Sequence, residues 1–311
     1  MDGCGALRQV QADERRDRVH RVDDQADGVS KMLCYKYMSF AKFKESIKPD
    51  GIFLKVSRPV EFNDPFDCVG RITGCPSESL IRSFNRRKVN SSTAWNGRNI
   101  QFSLSIATHS RRIFDRWYRI FSVCDADIVG TPAEMLMWAH YGDSAKGVRV
   151  GIEVDENSQW VENIAYEEMM PTLDLQKVQE WSPFEDEVLK RFLRGCLLTK
   201  HEVWNYEKER RVIFRVDDEC LRSISSDDSD TNVETMKFVW SPSKTSIKEV
   251  CLGAEYLSGC KGREEINERS DEFSQLVVSL RKNGYKFRLV NAIRVGHYCY
   301  DQVFDKTPDL Q

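Results

Sequence analysis

Residues 131–155, TPAEMLMWAHYGDSAKGVRVGIEVD, constrain the fold more than any other stretch, because their pattern changes from helical to extended across one short turn. Thr131 stands where an N-cap belongs. Pro132 follows at the first helical position, where its missing N–H does no harm, and Glu134 is spaced to close a capping box. Leu136 and His140 then share one helical face, and Met137 and Tyr141 another. Gly142 ends the helix. After the GDSAKG turn, Val148, Val150, Ile152 and Val154 alternate with Arg149, Gly151 and Glu153, the period of a strand with one apolar face. The predicted unit delivers His140, Tyr141, Asp143 and Lys146 to one edge of a sheet.

The flanking sequence supplies partners for that unit. Strands are predicted over 33–37, with Tyr35 and Tyr37 on one face and Cys34 and Lys36 on the other, and over 52–57, 119–124, 161–168, 247–252 and 285–295. FAKFKESI reads as a short amphipathic helix, 173–197 as a long helix with Val178, Trp181, Val188, Phe192 and Leu193 on its apolar side, and 263–282 as a helix closed by Asn283-Gly284. VEFNDPFD, residues 60–67, is a rigid corner set by Pro65, with Phe62 and Phe66 expected to bury it and with Asn63, Asp64 and Asp67 at its tip. Residues 70–116 are polar and weakly patterned, as an insertion or cap would be. The stretch 217–235 is a serine- and acid-rich surface loop. Residues 1–31 are rich in Arg, Asp and Gln and poor in side chains that could bury, and read as disordered or as an over-extended start, with translation beginning at Met32. The expectation is therefore one α+β domain over 32–300, a mixed sheet with flanking helices and no internal repeat, followed by a tail at 301–311.

Composition excludes several function classes. A net charge of -3 and a pI near 6.1 provide no global field for nucleic acid. There is no apolar run of roughly 18 residues, so no membrane span is expected. Ten cysteines without a C-x-x-C pair, in a chain of 311 residues, point to a reduced, cytoplasmic compartment rather than a disulfide framework. The five histidines are scattered, no two at i,i+3 or i,i+4, which argues against a zinc or di-iron site.

The chemistry-bearing stretch is WNYEKERRVIFRV, residues 204–216. In an extended conformation Glu207, Glu209, Arg211, Ile213 and Arg215 face one way, with the two carboxylates about 7 Å apart. Crowded like charges raise a proton affinity or demand a cation, and Arg211 beside them offers a bidentate partner. Two readings follow from this pattern: an ion-paired edge strand, or a functional carboxylate pair.

YKY near the start, FNDPFD, MWAHYGDSAKG, WNYEKERR and IKEVCLG occur in an order that resembles the bacterial family known as domain of unknown function 2971, over about 33–253. Members of that family usually carry an aromatic where Arg210 stands. The layout of a basic-aromatic first strand and a late E-x-E strand also resembles mono-ADP-ribosyltransferases. That resemblance implies an ADP-ribosyltransferase-like fold, NAD as cofactor, an acceptor that is protein or nucleic acid, and a bacterial toxin or phage-defence role. On it, Glu209 stabilises an oxocarbenium-like transition state and Glu207 orients or deprotonates the acceptor. Tyr141 or Trp138 stacks on nicotinamide, and Lys36 or His140 anchors ribose or phosphate. Tyr37, Asn63, Asp64 and Arg211 complete the candidate cofactor contacts. Lys36 replaces the first-strand arginine of such enzymes, and Ser122 is the nearest counterpart of their Ser-Thr-Ser motif. Two alternatives stand beside it: a non-catalytic sensor or interaction module in which the same polar residues form a satisfied internal network, and a metal-dependent nuclease or phosphoesterase using Asp64, Asp67, His140, Glu207 and Glu209.

Overall fold

The computed structural model describes residues 31–87, 114–155, 161–179, 186–219, 221–224, 237–295 and 299–304. The expectations for 1–30, for 88–113 and for the tail beyond 304 lie outside the described residues. The architecture is α+β, built on one large mixed sheet. Its strands, numbered along the chain, are β1 (Lys31–Met38), β2 (Tyr118–Asp125), β3 (Val148–Asp155), β4 (Val161–Asn163), β5 (Glu209–Arg215), β6 (Ile247–Leu252), β7 (Arg288–Val295) and β8 (Cys299–Phe304). Across the sheet they run β8-β7-β6-β3-β1-β2-β5-β4, antiparallel throughout except where β6 pairs in parallel with β7. The helices are α1 (Phe40–Ser46), α2 (Glu78–Arg87), α3 (Pro132–His140), α4 (Glu187–Leu198) and α5 (Arg263–Lys282). Among the described residues no helix is long and apolar enough to cross a membrane.

The register assigns every central side chain to one of two faces, because directly opposed residues of paired strands point the same way. Tyr35 pairs with Cys124 and Gly151, Tyr37 with Arg149, Arg149 with Cys251, and Cys124 with Glu209. That face carries the charged and aromatic residues. The other carries Cys34, Met38, Val148, Val150, Ile152, Phe121, Val123, Val212 and Phe214, packed with Phe273, Val277 and Leu280 of α5 into one apolar cluster.

Five sequence expectations need correction. β3 is fourth from one end of the sheet and covered on both faces, so Arg149 is fully buried instead of solvated, and the unit delivers its turn to the end of a central strand and not to a sheet edge. Of the helix predicted over 173–197, the described residues show helix in α4, with Asp186 accepting from Leu189 N as its N-cap, whereas Leu173 belongs to a short strand, Thr172–Asp174; Val188 is 37% exposed. Within the 217–235 loop, Leu221–Ile224 forms a strand on Lys237–Trp240, and Cys299–Phe304 carries sheet structure into the expected tail. Glu134 does not close a capping box: Thr131 makes no side-chain cap bond, its hydroxyl donating to Ile128 O at 2.6 Å, and Glu134 is buried in an ionic network.

The turn between α3 and β3 has an unusual backbone. Asp143, Ser144 and Ala145 all have left-handed φ, at 53°, 53° and 63°. Each costs about 1–2 kcal/mol relative to the right-handed form. Hydrogen bonds brace it: Gly147 N donates to Gly142 O at 2.8 Å, Gly253 N to Gly147 O at 3.0 Å and Glu255 N to Ala145 O at 2.9 Å. Gly147 must be glycine for lack of space, since a Cβ there would meet Met38 O at 2.1 Å, a backbone atom that cannot rotate away. Gly130, by contrast, has φ +77° with nothing within 4 Å of an added Cβ. We expect Gly147→Ala to destabilise by about 2–3 kcal/mol and Gly130→Ala by about 1 kcal/mol. Urea midpoints check the order; equal losses would show that the Met38 contact yields.

Candidate functional site

The site begins where the 204–216 stretch departs from a simple strand. Glu202–Glu207 is a 3-10 helix, Lys208 takes a left-handed conformation (φ 44°, ψ 47°), and only Glu209–Arg215 is extended. Glu207 is thus presented from a helical turn and Glu209 from a strand, a correction to the single extended face expected from the sequence. The reversal at Lys208 still brings both carboxylates to one cation. Lys200 Nζ lies 2.6 Å from Glu207 Oε2 and 3.2 Å from Glu209 Oε2. Lys200 arrives on the short strand Thr199–His201 directly after α4.

Arg211 is the hub of this network and is fully buried. Its Nε donates to Glu209 Oε1 at 2.8 Å and its Nη2 to Asp67 Oδ1 and Oδ2 at 2.8 and 2.6 Å. Nη1 donates to Leu197 O at 2.6 Å, at the C-terminus of α4. The guanidinium also lies over the Phe62 ring, 4.9 Å from its centroid. The FNDPFD corner thus serves as a holder for Asp67. Phe62 packs as expected, but Phe66 is 67% exposed. Tyr141 OH donates to Glu207 Oε1 at 2.7 Å, and Tyr166 OH accepts from Glu209 N at 2.7 Å.

Opposing forces set the protonation states. Burial alone would raise the Glu209 carboxyl, but Arg211 and then Lys200 outweigh it and hold the group at about 2. At Glu207 burial wins over Lys200 and Tyr141, and the carboxyl is raised above its ordinary value. Lys200 is raised because Glu209 and Glu207 overcome the cost of its burial. Tyr141 is pushed well above the usual phenol range by burial and by Glu207, so its hydroxyl stays protonated and donates to Glu207.

Glu207, Glu209, Tyr141 and Arg211 are brought together, with Asp67, Lys200 and Tyr166. His140 is at the rim, exposed, its ring 6.3 Å from Tyr141, 6.4 Å from Trp204 and 6.4 Å from Tyr206, centroid to centroid. Asp64 borders the adjacent groove and accepts from Phe66 N at 2.8 Å, while Asn63 is exposed. Lys36 does not join them. Its strand register puts it on the apolar face with Val150, its Nζ donates to Ser122 O at 2.7 Å over the Phe121 ring, and burial draws the ammonium down to about 8. A residue on that face offers no contact to a ligand resting on Glu209.

Tyr37 and Trp138 belong to a second buried network. Arg149 bonds Glu134 through Nη1, and its Nη2 lies 2.7 Å from Oε1 of Glu249, whose Oε2 is bridged in turn to Arg288. Trp138 Nε1 and Tyr37 OH both donate to Glu134 Oε1, at 3.1 and 3.4 Å. Trp138 is wholly buried, its ring edge-on to Tyr37 at 4.9 Å, so it has no face for a nicotinamide ring. Sequence reasoning missed the roles of Lys200, Tyr166, Glu134 and Glu249. The one signal for Glu134, Arg149 and Glu249 was their position as charged residues inside otherwise apolar runs.

Beside the first network a groove of about 300 Å³ opens between the FNDPFD corner, residues 167–171 and the Thr199–Trp204 segment, with Lys200 on its floor. Among the described residues no group of three His, Cys, Asp or Glu is arranged to hold a metal ion. No family model, curated protein or solved structure matches this chain.

Removing the hub strands two buried carboxylates. We expect Arg211→Met to lower stability at neutral pH by about 3–5 kcal/mol. The sign with pH follows from Glu209: its carboxyl is depressed, so the stabilisation is present above the ordinary value near 4.5 and is lost as pH falls toward about 2. Glu207 acts in the opposite sense, its contribution present below 4.5 and lost as pH rises through its raised folded value. The wild-type advantage over Arg211→Met should therefore narrow between pH 4.5 and 2 in denaturant titrations; a gap independent of pH would rule out the ion pair as its source.

Proposed function

We propose that this chain is a ligand-binding module, a sensor or interaction protein, in which the Asp67–Arg211–Glu209–Lys200–Glu207–Tyr141 network is the rigid floor beside a binding groove. One observation carries this reading: the oxygens of both glutamates already accept from protein donors, Glu207 from Tyr141 and Lys200, Glu209 from Arg211 and Lys200. A general base or oxocarbenium stabiliser needs an oxygen directed at substrate. Here each is spent on cohesion, as expected of a satisfied polar network. The motifs that resemble the domain of unknown function 2971 family support the same view. FNDPFD supplies Asp67, MWAHYG supplies Tyr141 and Trp138, WNYEKERR supplies Glu207, Glu209 and Arg211, and IKEVCLG supplies Glu249, so their unusual residues are those of the two ionic networks.

A second reading, NAD-dependent ADP-ribosyl transfer with the matching fold and a toxin or phage-defence role, is favoured by the convergence of Tyr141, Glu207 and Glu209 with His140 at the rim. Thermal melting of wild type and Glu209→Gln, each with and without NAD, together with an assay for nicotinamide release, separates the two. The binding-module reading expects Glu209→Gln to melt lower, by about 3 kcal/mol of stability, with no NAD-dependent shift in either protein. The transferase reading expects unchanged melting and a loss of activity of roughly 100-fold. A wild-type melt that rises with NAD, with nicotinamide released, would overturn the first.

A further inference from the structure

The groove beside the network has apolar walls that a solvated surface would not retain. Phe66 is 67% exposed, Met169 65% and Val203 64%, three large side chains from three separate segments turned toward one depression. Contiguous exposed apolar surface of this kind marks a binding site more often than solvent-facing packing. Half-buried Trp204 closes one side. At about 300 Å³ the space suits a small molecule with one ring or a branched alkyl group.

Charge decides what kind. Asp64, Glu167 and Glu168 line the groove, and Glu167 and Glu168 are exposed. The floor offers no compensating cation: Lys200 Nζ is held by Glu207 and Glu209 and has Asp67 Oδ2 at 4.0 Å. Groove and floor together present six carboxylates against Lys200 and Arg211. His201 also lines the groove, its Nδ1 accepting from Val203 N at 3.2 Å. A depression with apolar walls and a negative rim concentrates cations that have an apolar body, and the Trp204 ring and the two methionines provide polarisable surface for them.

We propose that this groove binds an aromatic organic cation, of the amidinium or quaternary ammonium class, with its ring against Phe66, Met169, Val203 and Trp204 and its charge toward Glu167, Glu168 and Asp64. This rests on the binding-module reading and adds the chemistry of the ligand.

Titration calorimetry on the full chain tests it with three probes of similar shape: benzamidine as the cation, benzoate as the anion and benzyl alcohol as the neutral control. Benzamidine should bind saturably, more weakly as salt rises, and benzoate should not bind. Glu167→Gln/Glu168→Gln, at two exposed positions, should weaken benzamidine about tenfold and leave the melting temperature unchanged. Met169→Ser/Val203→Ser should weaken it with no change in salt dependence. Benzoate or benzyl alcohol binding as well as benzamidine, in a manner lost in Met169→Ser/Val203→Ser, would overturn the cation and keep the binding module. Absence of saturable binding by all three would overturn both. Benzamidine affinity unchanged in the double glutamine variant would place the charge contact elsewhere and overturn the proposal.

Discussion

A guanidinium with no exposed surface is costly to desolvate, and that cost organises much of this molecule around Arg211. Its partners come from segments far apart in the chain: Asp67 from the corner after the first strands, Leu197 O from the end of α4, and Glu209 from its own strand. None can shift alone without leaving charge or a buried donor unmatched. The constraint is directional as well as electrostatic, because the planar fork meets Asp67 and Glu209 along different edges while its face rests on Phe62.

The same solution appears a second time on the same face of the sheet. Arg149, paired in register with Tyr37 and Cys251, takes Glu134 from α3 and Glu249 from β6, so the helix–turn–strand unit is tied to its neighbour by charge rather than by an apolar stripe alone. The opposite face has no such network at its centre and packs α5 on valines, isoleucines and phenylalanines. One side of the sheet is therefore specified by direction-dependent contacts and the other by volume. The polar side is where a groove forms, since fixed ionic floors do not collapse to fill an adjoining space as flexible apolar side chains would. The left-handed turn at Asp143–Ala145 belongs to the same economy: its strain is tolerated because three backbone hydrogen bonds and the close pass over Met38 leave it no alternative.

Much of this was legible in the sequence. The period-two runs of β1, β2, β3 and β6, the Thr131-Pro132 start and the Asn283-Gly284 stop of their helices, and the pairing of Glu209 with Arg211 all follow from local pattern, because strand alternation, capping and short-range charge spacing are properties of neighbouring residues. Other features were not legible, for identifiable reasons. Lys36 and Glu209 both look available on strands, but the face each occupies is fixed only by pairing register, which places them on opposite sides. Residues 173–179 keep enough helical spacing to mislead, whereas the parallel pairing of Thr172–Asp174 with Arg71–Thr73, strands 101 residues apart in sequence, outweighs propensity there.

By itself the sequence determined which residues are helical or extended over most of the central sheet, and which charged side chains sit inside apolar runs and so must find partners. Only the tertiary structure decided who those partners are. Lys200 for the two glutamates, Asp67 for Arg211 and Glu249 for Arg149 are selected by the order and register of strands that are remote in sequence, and a buried ion pair forms only where that geometry brings opposite charges within hydrogen-bonding distance and removes the water between them.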